Sequence, residues 1–326
     1  MSTLILKNWS EKLFATLYDT CSENYKGLTK NPRWLLMRKL ARFKWVRNII
    51  TYLSKRSTKA YLSLINIDNS CLRNVDVDKV VKNLQTEGLY YGLYLPQEIV
   101  LEIVQFANST VCYGNRKPEL GFYYHNKQAA QIKAGTNFIT GNYFNTGLEC
   151  PAIKKLQNDP ILLAIAARYL EAQPVHQGNQ MWWSFAGSST YREQDKAAQC
   201  FHYDLDDYRF IKFFFYLTDV DEQSGPHICI RSSHKRKKSS HIWFRKKETD
   251  QDIIDYYGRE SVVQICGHAG FGFAEDTLCF HKGLSPTHQD RLMLQIEFAI
   301  TDYQMQHDIR AKSLLKLINN TGVGVV

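Results

Sequence analysis

The 326-residue sequence has no C-x-x-C pair and no cluster of cysteine and histidine at zinc-site spacing, which removes the common structural zinc modules from consideration. Its eight cysteines stand apart at 21, 71, 112, 150, 200, 229, 266 and 279. Such usage fits separate reduced thiols in a cytoplasmic core better than the disulfide framework of a small secreted domain. No apolar run approaches the ~18 residues of a membrane span. Leu4-Ile5-Leu6 is followed by Lys7, Glu11 and Lys12, too broken for a signal-peptide core. The expectation is a cytoplasmic protein without a transmembrane segment. Internal repeats and low-complexity tracts are also absent.

Charge is scarce where a nucleic-acid binder would need it. The net charge of +9 is concentrated in Met1 to Lys59, where thirteen Lys and Arg face only Glu11, Asp19 and Glu23, a net of +10 that leaves −1 for the rest. A near-neutral body lacks the interleaved basic and aromatic surface that nucleic acid demands. With 44% hydrophobic and 22% charged positions, disorder is excluded and one sizeable domain with an appendage is expected.

Residues 1–75 read as a basic, helical N-terminal extension. Pro32 to Ser57 mixes Trp34, Leu40, Trp45, Ile49, Ile50 and Leu53 with lysines and arginines. On a helical wheel Arg38, Lys39, Lys44 and Arg47 scatter, which favours a helical segment packed on the body over peripheral membrane contact. From residue 76 helical periodicity is tighter, over Val77 to Leu84, Gln97 to Asn108 and Pro160 to Leu170. After Pro174 short aromatic and β-branched runs predict strands at Met181 to Phe185, Phe210 to Thr218, Ser261 to Ile265, Thr277 to Phe280 and Leu292 to Ile300. Helices first and antiparallel strands after predict an α+β fold around a jelly-roll sheet pair in residues 76–304, with 305–326 as a C-terminal tail.

The chemistry-bearing stretch is His202-Tyr203-Asp204. In extended chain, residues two apart share a face, so an imidazole and a carboxylate reach one ion. A third ligand lies 77 residues past Asp204, at His281 after the apolar run Thr277 to Phe280. Two histidines and one carboxylate on one side of a metal leave open positions, the arrangement of non-haem Fe(II) oxygenases. Ten residues on, Arg291 opens an apolar strand; a permanently charged guanidinium there suits the distal carboxylate of a small dianion that chelates iron at its other end, and 2-oxoglutarate fits that description. A second H-x-D, His288-Gln289-Asp290, is followed only by His307, 17 residues after Asp290, too close for intervening strands. Trp183, Phe215 and Tyr216 are candidates for the substrate wall, although residues of such apolar strands are more often core.

The sequence resembles the phytanoyl-CoA dioxygenase family from about Gly88 to Thr301. The residues that carry the resemblance are His202-Tyr203-Asp204, Phe210 to Val220, Ser224-Gly225-Pro226-His227, Ser232-Ser233-His234-Lys235, Asp276 to His281, and Arg291. The family implies a double-stranded β-helix core, Fe(II) on His202, Asp204 and His281, and 2-oxoglutarate on Arg291. Where some relatives carry a serine two residues past the distal histidine, this chain has Gly283, so a second polar contact must come from elsewhere. The expected activity is O2-dependent hydroxylation of a small-molecule or lipid-like substrate, releasing succinate and CO2. Desaturation or ring closure uses the same oxidant. A non-catalytic jelly-roll module tethered by its basic N-terminus is the alternative, and it has no physical reason to keep three metal ligands and Arg291 together.

Overall fold

The run Arg291 to Ala299 is buried at every position, and its composition shows what each face meets. Leu292, Leu294, Ile296 and Phe298 alternate with Arg291, Met293, Gln295 and Glu297. Successive side chains in a strand point to opposite faces, so one face is oily and the other largely polar. The structure, a computed structural model, describes residues 31–54, 58–187, 200–243, 245 and 247–318.

Eleven strands are present among these residues: β1 (Leu89–Tyr94), β2 (Cys112–Gly114), β3 (Gly121–Phe122), β4 (Thr140–Tyr143), β5 (Val175–Ser184), β6 (Phe210–Tyr216), β7 (His227–Ile230), β8 (Val262–Ile265), β9 (Phe271–Glu275), β10 (His281–Gly283) and β11 (Arg291–Ala299). They form an eight-stranded sheet in the order β1-β9-β6-β11-β5-β4-β2-β3 and a three-stranded sheet in the order β10-β7-β8. Every described strand pair is antiparallel. With helices gathered mainly before β5, the chain is α+β.

The oily face of the large sheet packs on helices α4 (Val77–Glu87), α5 (Gln97–Ser109) and α6 (Pro160–Leu170), which follow α1 (Pro32–Leu40), α2 (Lys44–Ser54) and α3 (Thr58–Ser63). Ile211, Phe213 and Phe215 of β6 and the four apolar residues of β11 join Leu84, Ile103, Leu162 and Ile165 in one core. The start of α6 is built into that core: Asp159, 2% exposed, accepts from the Ile161 and Leu162 N–H groups and from Ser70 Oγ and the Cys71 N–H. A carboxylate at the N-cap satisfies backbone donors that otherwise lack partners. Phe214, Tyr216, Phe273 and Met293, on the other face of the large sheet, pack with Cys229 and Ile265 of the small one.

Helix α1 buries Met37, which with Ala41 just beyond the helix packs against Phe201, Tyr203 and Phe280. Helix α2 buries Val46 and leaves Trp45, Ile49, Tyr52 and Leu53 exposed.

Two expectations change. Thr277 to Phe280 is a buried turn instead of a strand, because Asp276 captures the chain: its side chain accepts the Leu278 N–H and its carbonyl the Cys279 N–H. The strand is β9, just upstream, so His281 begins β10. The helical first half also contributes β1 to β4, runs of two to six residues too short to show a period of their own.

Candidate metal centre and its cavity

His202 and His281 lie 79 residues apart, yet they face each other in a two-residue antiparallel bridge: the His202 N–H donates to the His281 carbonyl at 3.1 Å, and the His281 N–H returns the bond at 2.8 Å. This backbone clasp sets the imidazoles side by side, ring centroids 4.4 Å apart. Asp204 Oδ1 is 3.8 Å from His202 Nε2, and Asp204 Oδ2 is 3.5 Å from His281 Nε2. These residues form the group among the described ones whose ligand atoms gather closely enough for a metal, all within 4.8 Å of one another.

Both imidazoles are oriented by the backbone. His202 Nδ1 sits 2.9 Å from the Cys200 carbonyl and His281 Nδ1 3.0 Å from the Cys279 carbonyl. A carbonyl only accepts, so each Nδ1 carries the proton and each Nε2 turns a lone pair to the centre, the tautomer a cation requires. Burial lowers the pKa of both rings, that of His281 to about 4 with the His202 ring adding to the effect. They are therefore neutral and ready to ligate at neutral pH.

Burial opposes ionisation of Asp204, but Lys212, His281 and His202 together outweigh it and hold the carboxyl well below the usual range. Lys212 was not singled out in the sequence. It lies on β6 with its Nζ 2.7 Å from Asp204 Oδ2, 2.8 Å from Asp206 Oδ2 and 3.7 Å from Glu297 Oε2. Burial penalises the ammonium, yet these three carboxylates raise its pKa well above that of a free lysine. One Asp204 oxygen is thereby engaged by a cation, which limits how that carboxylate can meet a metal.

Arg291 opens β11 on the polar face, 3% exposed. Its guanidinium donates to the Gly225 carbonyl and, at 2.9 Å, to Ser184 Oγ, while Nε has no hydrogen-bond partner. None of the ion pairs among the described residues includes Arg291. A buried guanidinium without an anion is costly. A Cβ added at Gly283 would stand 3.4 Å from Arg291 Nη2, so Gly283 sits beside the guanidinium and Ser184 supplies the polar group next to it.

His202, Asp204, Lys212, His281 and Arg291 open onto one cavity of about 590 Å³ between the sheets. His227, from β7, also lines it and lies 2.7 Å from Glu275 Oε2. Burial pushes Glu275 up to about 8 and His227, with Arg291 near, down to about 3. The two shifts agree on a neutral pair in which the Glu275 carboxyl donates to His227 Nε2.

None of the three residues expected at the substrate wall lines this cavity. Trp183 and Phe215 belong to the helix-facing core; Trp183 Nε1 donates to the Tyr143 hydroxyl at 2.9 Å and its ring stacks on Tyr124. Trp182 and Phe214 line the cavity in their place. Tyr216 faces the small sheet, its hydroxyl donating to the Ile265 carbonyl at 2.7 Å, and does not line the cavity. The second H-x-D is structural at its acid: Asp290 accepts from Lys127 Nζ and the Ala186 N–H.

No protein-family model and no curated protein sequence matches the chain. Among solved structures it is similar to HygX from Streptomyces hygroscopicus with nickel, 2-oxoglutarate and hygromycin B bound, at 14% identity and a TM-score of 0.48, covering 76% of this chain and 95% of that one. It is also similar to the epimerase SnoN in complex with Fe3+, alpha ketoglutarate and nogalamycin RO, at 12% identity and TM-score 0.44, over 68% and 83% of the two chains. A nickel complex of the non-heme monooxygenase ThoJ matches at 13% and 0.44, over 68% and 76%. At these identities and TM-scores, the resemblances assign neither activity nor ligand to this chain.

Proposed function

We propose that this protein is a non-haem Fe(II)- and 2-oxoglutarate-dependent oxygenase with a double-stranded β-helix core, and that it hydroxylates an unactivated C–H bond of a small molecule. His202, Asp204 and His281 would hold the iron through two imidazole Nε2 atoms and one carboxylate. Arg291, flanked by Ser184, would pair with the distal carboxylate of 2-oxoglutarate. Bound iron supplies O2 activation coupled to decarboxylation of 2-oxoglutarate to succinate and CO2; the protein's own work is to orient the bond and keep water away.

The observation that carries this reading is the buried, anion-free Arg291 guanidinium on the same cavity as the two Nε2 atoms and Asp204. A binding module has no use for that cation, whereas a bound dicarboxylate removes its cost.

The test is optical. Protein purified without oxygen and given Fe(II) and 2-oxoglutarate should develop the weak visible charge-transfer band of the chelate. His281→Ala should abolish the band. Arg291→Ala should weaken 2-oxoglutarate by roughly 10- to 100-fold, corresponding to the ~1.5–3 kcal/mol of a charge-assisted hydrogen bond. Absence of the band in wild type would reject the oxygenase reading in favour of a non-catalytic module.

A further inference from the structure

The cavity extends past the metal ligands along β4, β5 and β11, and this wall is rich in hydrogen-bonding groups. Gln180 and Gln295 are register partners across β5 and β11 and both face the cavity. Gln295 is 6% exposed, and its Nε2 has no hydrogen-bond partner among the described residues. The Oε1 of Gln180 accepts from Arg116 Nη1 at 2.9 Å. Because a guanidinium only donates, this contact orients the amide and leaves its N–H groups free for the cavity.

Arg116 is itself held in place. Its Nη2 donates to the His307 carbonyl at 3.1 Å. It follows Asn115 in a turn where both residues adopt left-handed backbone, φ +52° and +62°. Asparagine adopts this backbone readily, but for an arginine it carries a steric cost that surrounding contacts must offset. Here the Asn115 side chain accepts from the Ile139 N–H at 2.8 Å and donates to the Asn137 carbonyl at 2.9 Å, fixing the turn. Arg116, Gln180 and Gln295 thus present a guanidinium and two amides to one space, beside the flat rings of Trp182 and Phe214.

From this wall, which belongs to the oxygenase site proposed above, we infer that the substrate is a polyhydroxylated carboxylate of the sugar-acid type. Its acid group meets Arg116, and its hydroxyls meet the amides of Gln180 and Gln295. An acyl chain in the same place would cover the free N–H groups of Gln180 and leave the remaining N–H groups of the Arg116 guanidinium without an acceptor, at a cost of ~1–3 kcal/mol for each stranded group. Oxygen acceptors satisfy those groups, and the ring C–H faces of such a molecule suit Trp182 and Phe214.

The test uses the full chain loaded with Ni(II) and 2-oxoglutarate, which cannot turn over, with binding of D-glucuronate, D-glucose and octanoate followed by ligand-observed NMR at millimolar concentration. D-Glucuronate is expected to bind most tightly, D-glucose weakly and octanoate not at all. Arg116→Ala is expected to weaken D-glucuronate by about tenfold and D-glucose, which loses only the ordering of Gln180, by clearly less, a selectivity that general unfolding does not produce. Binding of octanoate equal to or tighter than D-glucuronate, or no binding of D-glucuronate, overturns the inference. The Fe(II) charge-transfer band is measured alongside: if it is present while D-glucuronate fails, the substrate class is wrong and the oxygenase reading stands; if it is absent, the oxygenase reading fails first.

Discussion

Lys212 is the residue on which the electrostatics of the centre turn. The residue is 5% exposed, and its ammonium lies at hydrogen-bond distance from Asp204 and Asp206 and 3.7 Å from Glu297, whose carboxyl burial pushes up to about 8. Removing one partner of a buried ion pair leaves the other charges uncompensated, at ~3–5 kcal/mol. Asp204 and Asp206 keep contact with the cavity, their side chains 19% and 21% exposed, so the effect should fall at the low end of that range. Lys212→Met is therefore expected to lower the stability of the metal-free protein by about 3 kcal/mol, read from the shift of its urea unfolding midpoint. An unchanged midpoint would show that Asp204 and Asp206 relax at no cost. Nothing in the local sequence marks this lysine, since Phe210 to Tyr216 reads as an apolar strand with one charge in it.

At the scale of elements, the joint between α4 and β1 fixes how the helical layer meets the turn before His281. Gly88 ends α4 in left-handed conformation, φ +78°, with its N–H returning to the Leu84 carbonyl. A Cβ there would lie 2.3 Å from Cys279 Sγ and 2.6 Å from His234 Nδ1. Gly88→Ala adds backbone strain to a collision with a buried side chain, and should destabilise by about 1–3 kcal/mol in thermal or urea unfolding. A variant as stable as wild type would mean that the Asp276 turn yields freely. The glycine was visible in the sequence as a stop signal for the helix. The steric reason for it was not, because Cys279 is 191 residues away.

For the whole molecule, the consequence of closing two sheets over polar groups is a set of buried titratable pairs whose effects on stability run in opposite directions. Glu275 is the separable case. Burial raises its carboxyl to about 8, so between the ordinary glutamate value of ~4.3 and about 8 the folded protein holds a proton that the unfolded chain has released. Stability therefore falls as pH rises through that window. Glu275→Gln keeps a neutral donor toward His227 and removes the titration, so the variant should gain stability relative to wild type from pH 5 to pH 8 in paired urea titrations; a constant difference would place an ionised carboxylate at this position. The His-x-Asp pair, the distal histidine, Arg291 and the three helices Val77–Glu87, Gln97–Ser109 and Pro160–Leu170 were all legible in the sequence, because each rests on local periodicity or on side-chain chemistry that one residue carries alone. The short strands β1 to β4, the choice of Trp182 and Phe214 over their neighbours, the Lys212 and His227–Glu275 pairs and the Gln180–Gln295 wall were decided only in the tertiary structure. Side chains alternate across a strand every two residues, so which of two adjacent aromatics meets the cavity depends on register against strands as much as 100 residues or more away in the chain.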